Sequence, residues 1–522
     1  MEQSMKCSSC RGVSFETKND RRLSFNRGSF NRIFPSDRWA IFQRSESRPS
    51  SHFCNLDDDE EEANDVEQQE ELWNSSDLPV PKKDTLPQKP SKPESRLSVI
   101  LLDQGLFTVY KRLFILCLAL NLSTILFATS GVFPYAMKEA GFFSVGNLLV
   151  LVLCRSEAFL RCVFWVAVKV LGRSWVPIPL KTATTSFLQC VGGIHSGCGV
   201  SSIMWLIYYL VESLRRPETS SAMIKGVAFG ILGLLVISSA AAFPLVRHLH
   251  HNIFEGFHRF AGWAAVILLW IFLILTVSYN PDDRIYRVSI SALAKKKDVW
   301  FTWFITFLIV LPWLTVRKVA VEVSTSSAHA SLIRFAGGVN AGLLGRISRS
   351  PLSDWHAFGI ISDGKCQHMM LAGAVGDFTR ELVSDPPKFL YTRCIHFAGL
   401  PYLINMYDRV VLVATGSGIC VFLSFSLQPC AAQVYVIWVA KSIEKNFGEE
   451  IVRMVKDHPP EKRIIHDTAV SGRPNVAEMT VKAVRNWNAE VVIVTSNPSG
   501  SRDVVNECKT RGIPAFGPIW DS

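Results

Sequence analysis

Metal-ligand spacing is missing from this chain. Of its thirteen cysteines, only Cys7 and Cys10 form a tight pair, and no second pair follows downstream, which excludes a zinc ribbon or finger. Most of the other cysteines fall in apolar stretches, where a free thiol serves as a small hydrophobe. The formal charge of +10 is accompanied by neither finger spacing nor a basic recognition helix, so no nucleic-acid partner is expected. The N-terminus lacks the apolar core of a secretory signal, and its early acids (Glu2, Glu16, Asp20) argue against an organelle transit peptide.

What is abundant is apolar. A hydrophobic share of 48% with mean hydropathy +0.21 is high for a soluble protein, and predicts a protein whose main partner is the lipid bilayer. Residues 1–95 stand apart: a basic, Ser- and Arg-rich front gives way to an acidic block from Asp57 to Glu71 and a Pro- and Lys-rich linker, a composition that cannot fold alone. Arg21-Arg-Leu-Ser24 and Arg27-Gly-Ser29 offer serines behind basic residues, a pattern suited to phosphorylation or simply to a solvated tail.

Residues 105–316 read as a helical membrane bundle, with about six spans near 113–133, 146–170, 183–211, 224–246, 253–278 and 298–316. The second carries Arg155, Glu157 and Arg161, the last two spaced to pair along one helix face. Lys and Arg counts on the short loops come to parity and do not orient the bundle. A C-terminal unit that uses nucleotides would place both termini in the cytosol, in a multi-pass protein of the plasma membrane or an endomembrane. Two histidines lie within the apolar runs, His195 in the third and His258 in the fifth, and an ionisable group there is a candidate functional position, or, for His258, simply a hydrogen-bonding group near the interface. They stand about 18 and 15 Å along their helices at 1.5 Å per residue, so they could meet at one depth. Gly192, Gly193 and Gly197 around His195 either leave room for a bulky group or let helices pack closely.

Beyond Arg317 the pattern turns to short alternating segments. Residues 318–405 read as a β-barrel, with strands at 331–335 and 357–361. Residues 406–522 read as a doubly wound α/β domain that opens on the buried strand Arg409 to Ala414. Gly416-Ser-Gly418 follows that strand and precedes an apolar helix, a place where backbone amides and a helix N-terminus could hold a pyrophosphate, or where glycines merely make a tight turn. Lys441 and Lys445, after the second strand, could meet a 2′-phosphate or simply start a solvated helix.

This order of elements resembles the ferric reductase and NADPH oxidase superfamily of membrane flavoproteins. Trp355-His-Ala-Phe-Gly359 is similar to the family's flavin-binding His-Pro-Phe-Ser/Thr, with His356 and Phe358 matching, Ala357 in place of proline and Gly359 in place of the hydroxyl residue. Val375-Gly-Asp-Phe-Thr379 resembles Val-Gly-Asp-Trp-Thr, Gly399-Leu-Pro-Tyr402 stands for Asp-Gly-Pro-Phe/Tyr-Gly, and Leu412 to Ile419 for the nucleotide loop. The resemblance implies FAD and NADPH or NADH as cofactors, held by His356, Phe358, Gly376, Asp377, Thr379, Gly399, Pro401, Gly416 and Gly418, with Trp520 covering the flavin ring. It implies at most one haem, ligated by His195 and His258. The positions of a second histidine pair hold Tyr208 or Tyr209 and Ile271 or Phe272, the expected Cys-Gly is replaced by Thr495-Ser-Asn-Pro-Ser-Gly500, and no proline follows Gly418-Ile419. These departures resemble a divergent branch, the fungal TmpA-like membrane proteins and the C-terminal part of adenylate-forming reductases. The expected function is a membrane oxidoreductase passing electrons from NAD(P)H to FAD, and through at most one haem to an unknown small-molecule acceptor. The alternative is a non-catalytic redox- or nucleotide-sensing flavoprotein with a regulatory or developmental role.

Overall fold

The computed structural model describes residues 108–243, 246 and 251–518. The N-terminal tail with its serine sites, His248, His250 and Trp520 lie outside the described residues.

The bundle is built from α1 (Val109–Thr129), α2 (Ala140–Leu153), α3 (Glu157–Leu171), α4 (Ile178–Gln189), α5 (Gly192–Arg215), α6 (Ala222–Ala241), α7 (His251–Ser278) and α8 (Lys297–Leu314). Five of these, α1, α5, α6, α7 and α8, are long and apolar enough to cross a membrane. The sequence predicts unbroken second and third spans, and the structure divides both. The second breaks at Cys154–Ser156, where Ser156 caps α3 by accepting from the Phe159 amide. The third breaks after Gln189, before the glycine pair that opens α5. The 14-residue α2 stays in the bundle against α5, whereas α3 and α4 leave it as a hairpin. Phe164 and Leu188 from that hairpin belong to the same buried core as the strands beyond.

The next layer is an antiparallel barrel of two sheets. One has the order β9–β4–β8–β1, with β5 paired to β4. The other has the order β2–β3–β7–β6. In chain order these strands are β1 (Val316–Ala320), β2 (Glu322–Ser327), β3 (Ala330–Ala336), β4 (Leu343–Ser348), β5 (His356–Gly359), β6 (Ile361–Ser362), β7 (Gln367–Gly373), β8 (Phe389–Arg393) and β9 (Phe397–Ala398). Ile333, Ile347, Ile361 and Leu390 are fully buried between the sheets. Helix α9 (Asp377–Ser384) closes one end.

The last layer is a five-stranded parallel sheet of β10 (Arg409–Thr415), β11 (Gln433–Ala440), β12 (Arg463–Asp467), β13 (Val491–Thr495) and β14 (Ala515–Phe516), ordered β12–β11–β10–β13–β14. All five run parallel, which requires helices on both faces and explains why the strands read as continuous apolar runs. Helices α12 (Val476–Trp487) and α13 (Pro498–Thr510) cover one face over Val411, Val413 and Ile437. Helices α10 (Cys420–Leu427) and α11 (Ile443–Lys456) cover the other, in a core continuous with the barrel. Helix α11 bends at Gly448 (φ +78°), where an added Cβ would lie 2.4 Å from Ser326 Oγ, so the bend lets the helix lie against β2.

Candidate functional site

His195 and His258 meet. They sit on α5 and α7 with ring centroids 6.3 Å apart. His195 Nδ1 donates to Leu151 O at 3.0 Å, and His258 Nδ1 lies 2.9 Å from Ser238 Oγ and 3.3 Å from Ser238 O. Fixing one ring nitrogen on an oxygen orients the imidazole and leaves Nε2 as the nitrogen that could ligate, an arrangement metal-binding histidines share. Two imidazoles sharing one metal through Nε2 bonds of about 2 Å would have centroids roughly 6 Å apart, so His195 and His258 would be the residues to hold a metal-centred group here, were one bound. Both histidines are near the end of the bundle that meets the α3–α4 hairpin. No group of three or more metal-ligating side chains occurs among the described residues.

The glycines near His195 have a different task from making room. A Cβ on Gly193 would lie 2.3 Å from Tyr110 O, and one on Gly197 would lie 2.8 Å from Cys117 Cβ, so both serve the close approach of α1. Where a second histidine pair would stand, Tyr209 and Phe272 pack edge to face at 5.5 Å among Leu206, Leu210, Leu269 and Leu273. That depth is filled by core.

Glu157 does not pair with Arg161 as the helical spacing predicts. It bonds Arg346 of β4 and lies 3.4 Å from Arg393 of β8, while Arg161 donates to His396 O at 3.1 Å. The hairpin is therefore fastened to the barrel by charge as well as by packing. Two further links hold it: Thr185 Oγ1 and Tyr407 Oη at 2.7 Å, and Gln189 Nε2 donating to Gly517 O at 3.0 Å. Burial, opposed by the bond to Thr185, pushes the Tyr407 phenol up to about 12, keeping it a neutral hydroxyl.

In the barrel, His356 at the start of β5 stacks on Phe378 at 4.0 Å, and Phe378 stands in the first turn of α9. Gly376 caps that helix, Asp377 opens it, and Thr379 Oγ1 accepts from the Val375 and Gly376 amides. These residues come together, and a histidine beside a helix N-terminus suits the phosphate end of a flavin nucleotide. Burial lowers the His356 pKa, nearby Asp354 raises it and Arg346 lowers it again. Phe358 is buried in the core. Gly359 occupies the position of the missing hydroxyl, and a side chain there would lie 2.5 Å from Val421 Cγ1 and 3.0 Å from its Cα. Helix α10 has taken that space. Gly399 is pressed against Leu344, and Pro401 is buried at the head of the short helix Leu400–Met406.

The carboxyl ends of β10 and β13 lie side by side at the point where the strand order reverses, the crevice in which such sheets take ligands. Gly416 (φ +53°) makes the turn out of β10, Trp438 Nε1 donates to its carbonyl, and Thr415 Oγ1 lies 2.7 Å from Ser496 Oγ. A Cβ on Gly418 would meet Thr495 O at 2.7 Å, so this glycine is required for contact between the two strand ends. Gly416 to Ile419 are all buried. At the far end of the crevice, Asp467 accepts from the amides of Ser442, Ile443 and Ala469 at 2.8, 2.8 and 2.9 Å. The motif Val375-Gly-Asp-Phe-Thr379 contains Phe378 without assigning it a role, and the sequence reading did not single out Trp438 or Asp467. For Asp467, an acid closing a strand directly before a helix-start threonine was the available signal.

The family model for the C-terminal domain of adenylate-forming reductase 03009 matches residues 400–522. Two curated relatives are adenylate-forming reductases 03009 and 06235 of Coprinopsis cinerea, 31% and 32% identical over 446 and 448 residues. Each match covers 83% of this chain and 42% of the relative, so the chain spans about two fifths of the length of these proteins. Among solved structures, ferredoxin-NADP+ reductase from Plasmodium falciparum aligns over 39% of this chain and 95% of its own, with 10% identity and a TM-score of 0.30. The cytochrome b5 reductase domain of Ulva prolifera nitrate reductase aligns over 39% and 97%, with 11% identity and a TM-score of 0.30.

Proposed function

We propose that this chain is a membrane oxidoreductase that draws electrons from a pyridine nucleotide through FAD, with at most one haem held by His195 and His258, toward a small-molecule acceptor. The observation that carries this reading is the facing histidine pair, each ring fixed through Nδ1, at the end of an apolar bundle fastened to a barrel and a nucleotide-type sheet. When bound, the flavin accepts a hydride and releases electrons singly, and a haem carries single electrons. The chain's own residues supply position: His356 and the first turn of α9 hold the phosphate end, and Gly416 and Gly418 bring backbone to the dinucleotide. Glu157 with Arg346 and Arg393 keeps the barrel seated on the hairpin beside the histidines. The packed Tyr209–Phe272 layer supports a same-side delivery of electrons within this reading.

A second reading, a redox or nucleotide sensor without turnover, is favoured by one observation. Gly359 and Val421 close the place where a hydroxyl would contact the flavin ring. Absorbance of the full-length protein in detergent separates the two. The oxidoreductase reading predicts flavin absorbance bleached by NADH or NADPH and a Soret band lost in both His195→Ala and His258→Ala. Flavin that neither nucleotide bleaches would favour the sensor, and absence of both chromophores after reconstitution would sink both.

A further inference from the structure

We infer that Asp467 makes the adenosine end of the nucleotide crevice selective against a 2′-phosphate, so that the chain takes NADH in preference to NADPH. This rests on the pyridine-nucleotide reading above. In a sheet of this strand order the adenosine ribose lies beyond the carboxyl end of the strand that follows the glycine loop, here β11, which ends at Ala440. Asp467 stands directly across from Ala440 in the β11–β12 register.

The turn there is shaped to hold an anion. Ser442 is left-handed (φ +48°), a conformation that points successive amides into one concavity at the start of α11. Such a nest would otherwise be the backbone's contribution to a phosphate site. The protein fills it from within, Oδ1 accepting from Ser442 and Ala469 and Oδ2 from Ile443. Burial works against the carboxylate, but these three amides and His466 hold its pKa below the usual range, so it is ionised at neutral pH. A 2′-phosphate would bring about −1.5 to −2 charges to a place that already holds a full negative charge and whose amides are used. A ribose hydroxyl can instead donate to the carboxylate. Lys441 and Lys445 flank this turn in the sequence, but the charge bonded inside the nest itself is the Asp467 carboxylate.

Binding of NADH and NADPH to the full-length protein, and of adenosine 5′-monophosphate against adenosine 2′,5′-bisphosphate, tests the assignment. The wild type should bind each 2′-phosphorylated probe at least about tenfold more weakly, as expected for one unfavourable charge contact in a partly shielded site. Asp467→Asn and Asp467→Ser, each retaining an acceptor oxygen, should narrow that ratio by a similar factor while melting as folded proteins. Equal affinity of the wild type for the two dinucleotides, or a ratio unchanged in both folded variants, overturns the selectivity. Binding of neither dinucleotide by folded wild type overturns the nucleotide reading beneath it and the selectivity with it.

Discussion

Glu157 illustrates how one side chain can decide an interface. Its side chain is 15% exposed, and this one carboxylate is bonded to two arginines of the barrel. Arg346 also lies over the Phe397 ring and Arg393 over Trp355, so both guanidinium groups are held in place whether or not the acid is present. Removing the negative charge leaves two partly buried cations facing each other, a loss of roughly 2 kcal/mol after allowance for partial solvent access. Thermal melting of Glu157→Gln in detergent should therefore fall clearly below wild type, with Glu157→Asp between them. His396 gives a pH signature at the same contact. Burial, then neighbouring His368 and Arg161, lower its pKa to about 4 from the usual value. Above about 6.5 neither folded nor unfolded chain protonates this ring; between about 6.5 and 4 the unfolded chain gains a proton the folded one refuses. Stability should therefore drop as pH falls through that window, and His396→Gln should shrink the drop in acid melts. A flat profile in wild type would show that the ring is not held neutral.

Among the elements, the glycines of α5 make the sharpest contrast. Gly193 faces the backbone of Tyr110, which cannot yield, whereas Gly226 on α6 has open space around its Cα. Gly193→Ala should push α1 off α5 and lower the melting temperature, and Gly226→Ala should leave it unchanged or slightly raised through helix propensity. The sequence reading foresaw that α5 would be rich in small residues but left their purpose open, because periodicity does not say which neighbour a helix face meets. The parallel strands and their helices were legible for the opposite reason. Runs such as Arg409 to Ala414 are buried on both faces and announce themselves locally, and β10 lies within a residue of that run. The breaks at Cys154–Ser156 and after Gln189 were not legible, since an apolar stretch reads alike whether lipid or a protein core covers it. Ser156 was the one local signal, a capping residue placed before Glu157. The same limit applied to the site. His195 and His258 were conspicuous as polar groups in apolar runs, while Asp467 and Phe378 gain meaning only once strands and helix ends are brought side by side.

For the molecule as a whole, the hairpin of α3 and α4 ties bundle and barrel at two chain crossings, and the link from α8 into β1 adds a third. The barrel and the parallel sheet are therefore held beside the histidine pair at a concentration set by geometry and not by diffusion. The packed Tyr209–Phe272 layer then has an electrical consequence. It lies about fourteen residues along α5 and α7 from the histidines, roughly 20 Å at 1.5 Å per residue, and it fills the depth that a second cofactor would need. An electron taken from a nucleotide and delivered on the same face of the bilayer crosses no potential, whereas one carried across would do work of about 2.3 kcal/mol per 100 mV. Turnover in sealed proteoliposomes should leave a voltage-sensitive dye unmoved and should proceed at the same rate whatever potential is imposed. A rate that follows the imposed voltage would show that charge does cross, and that the aromatic layer is no barrier to it.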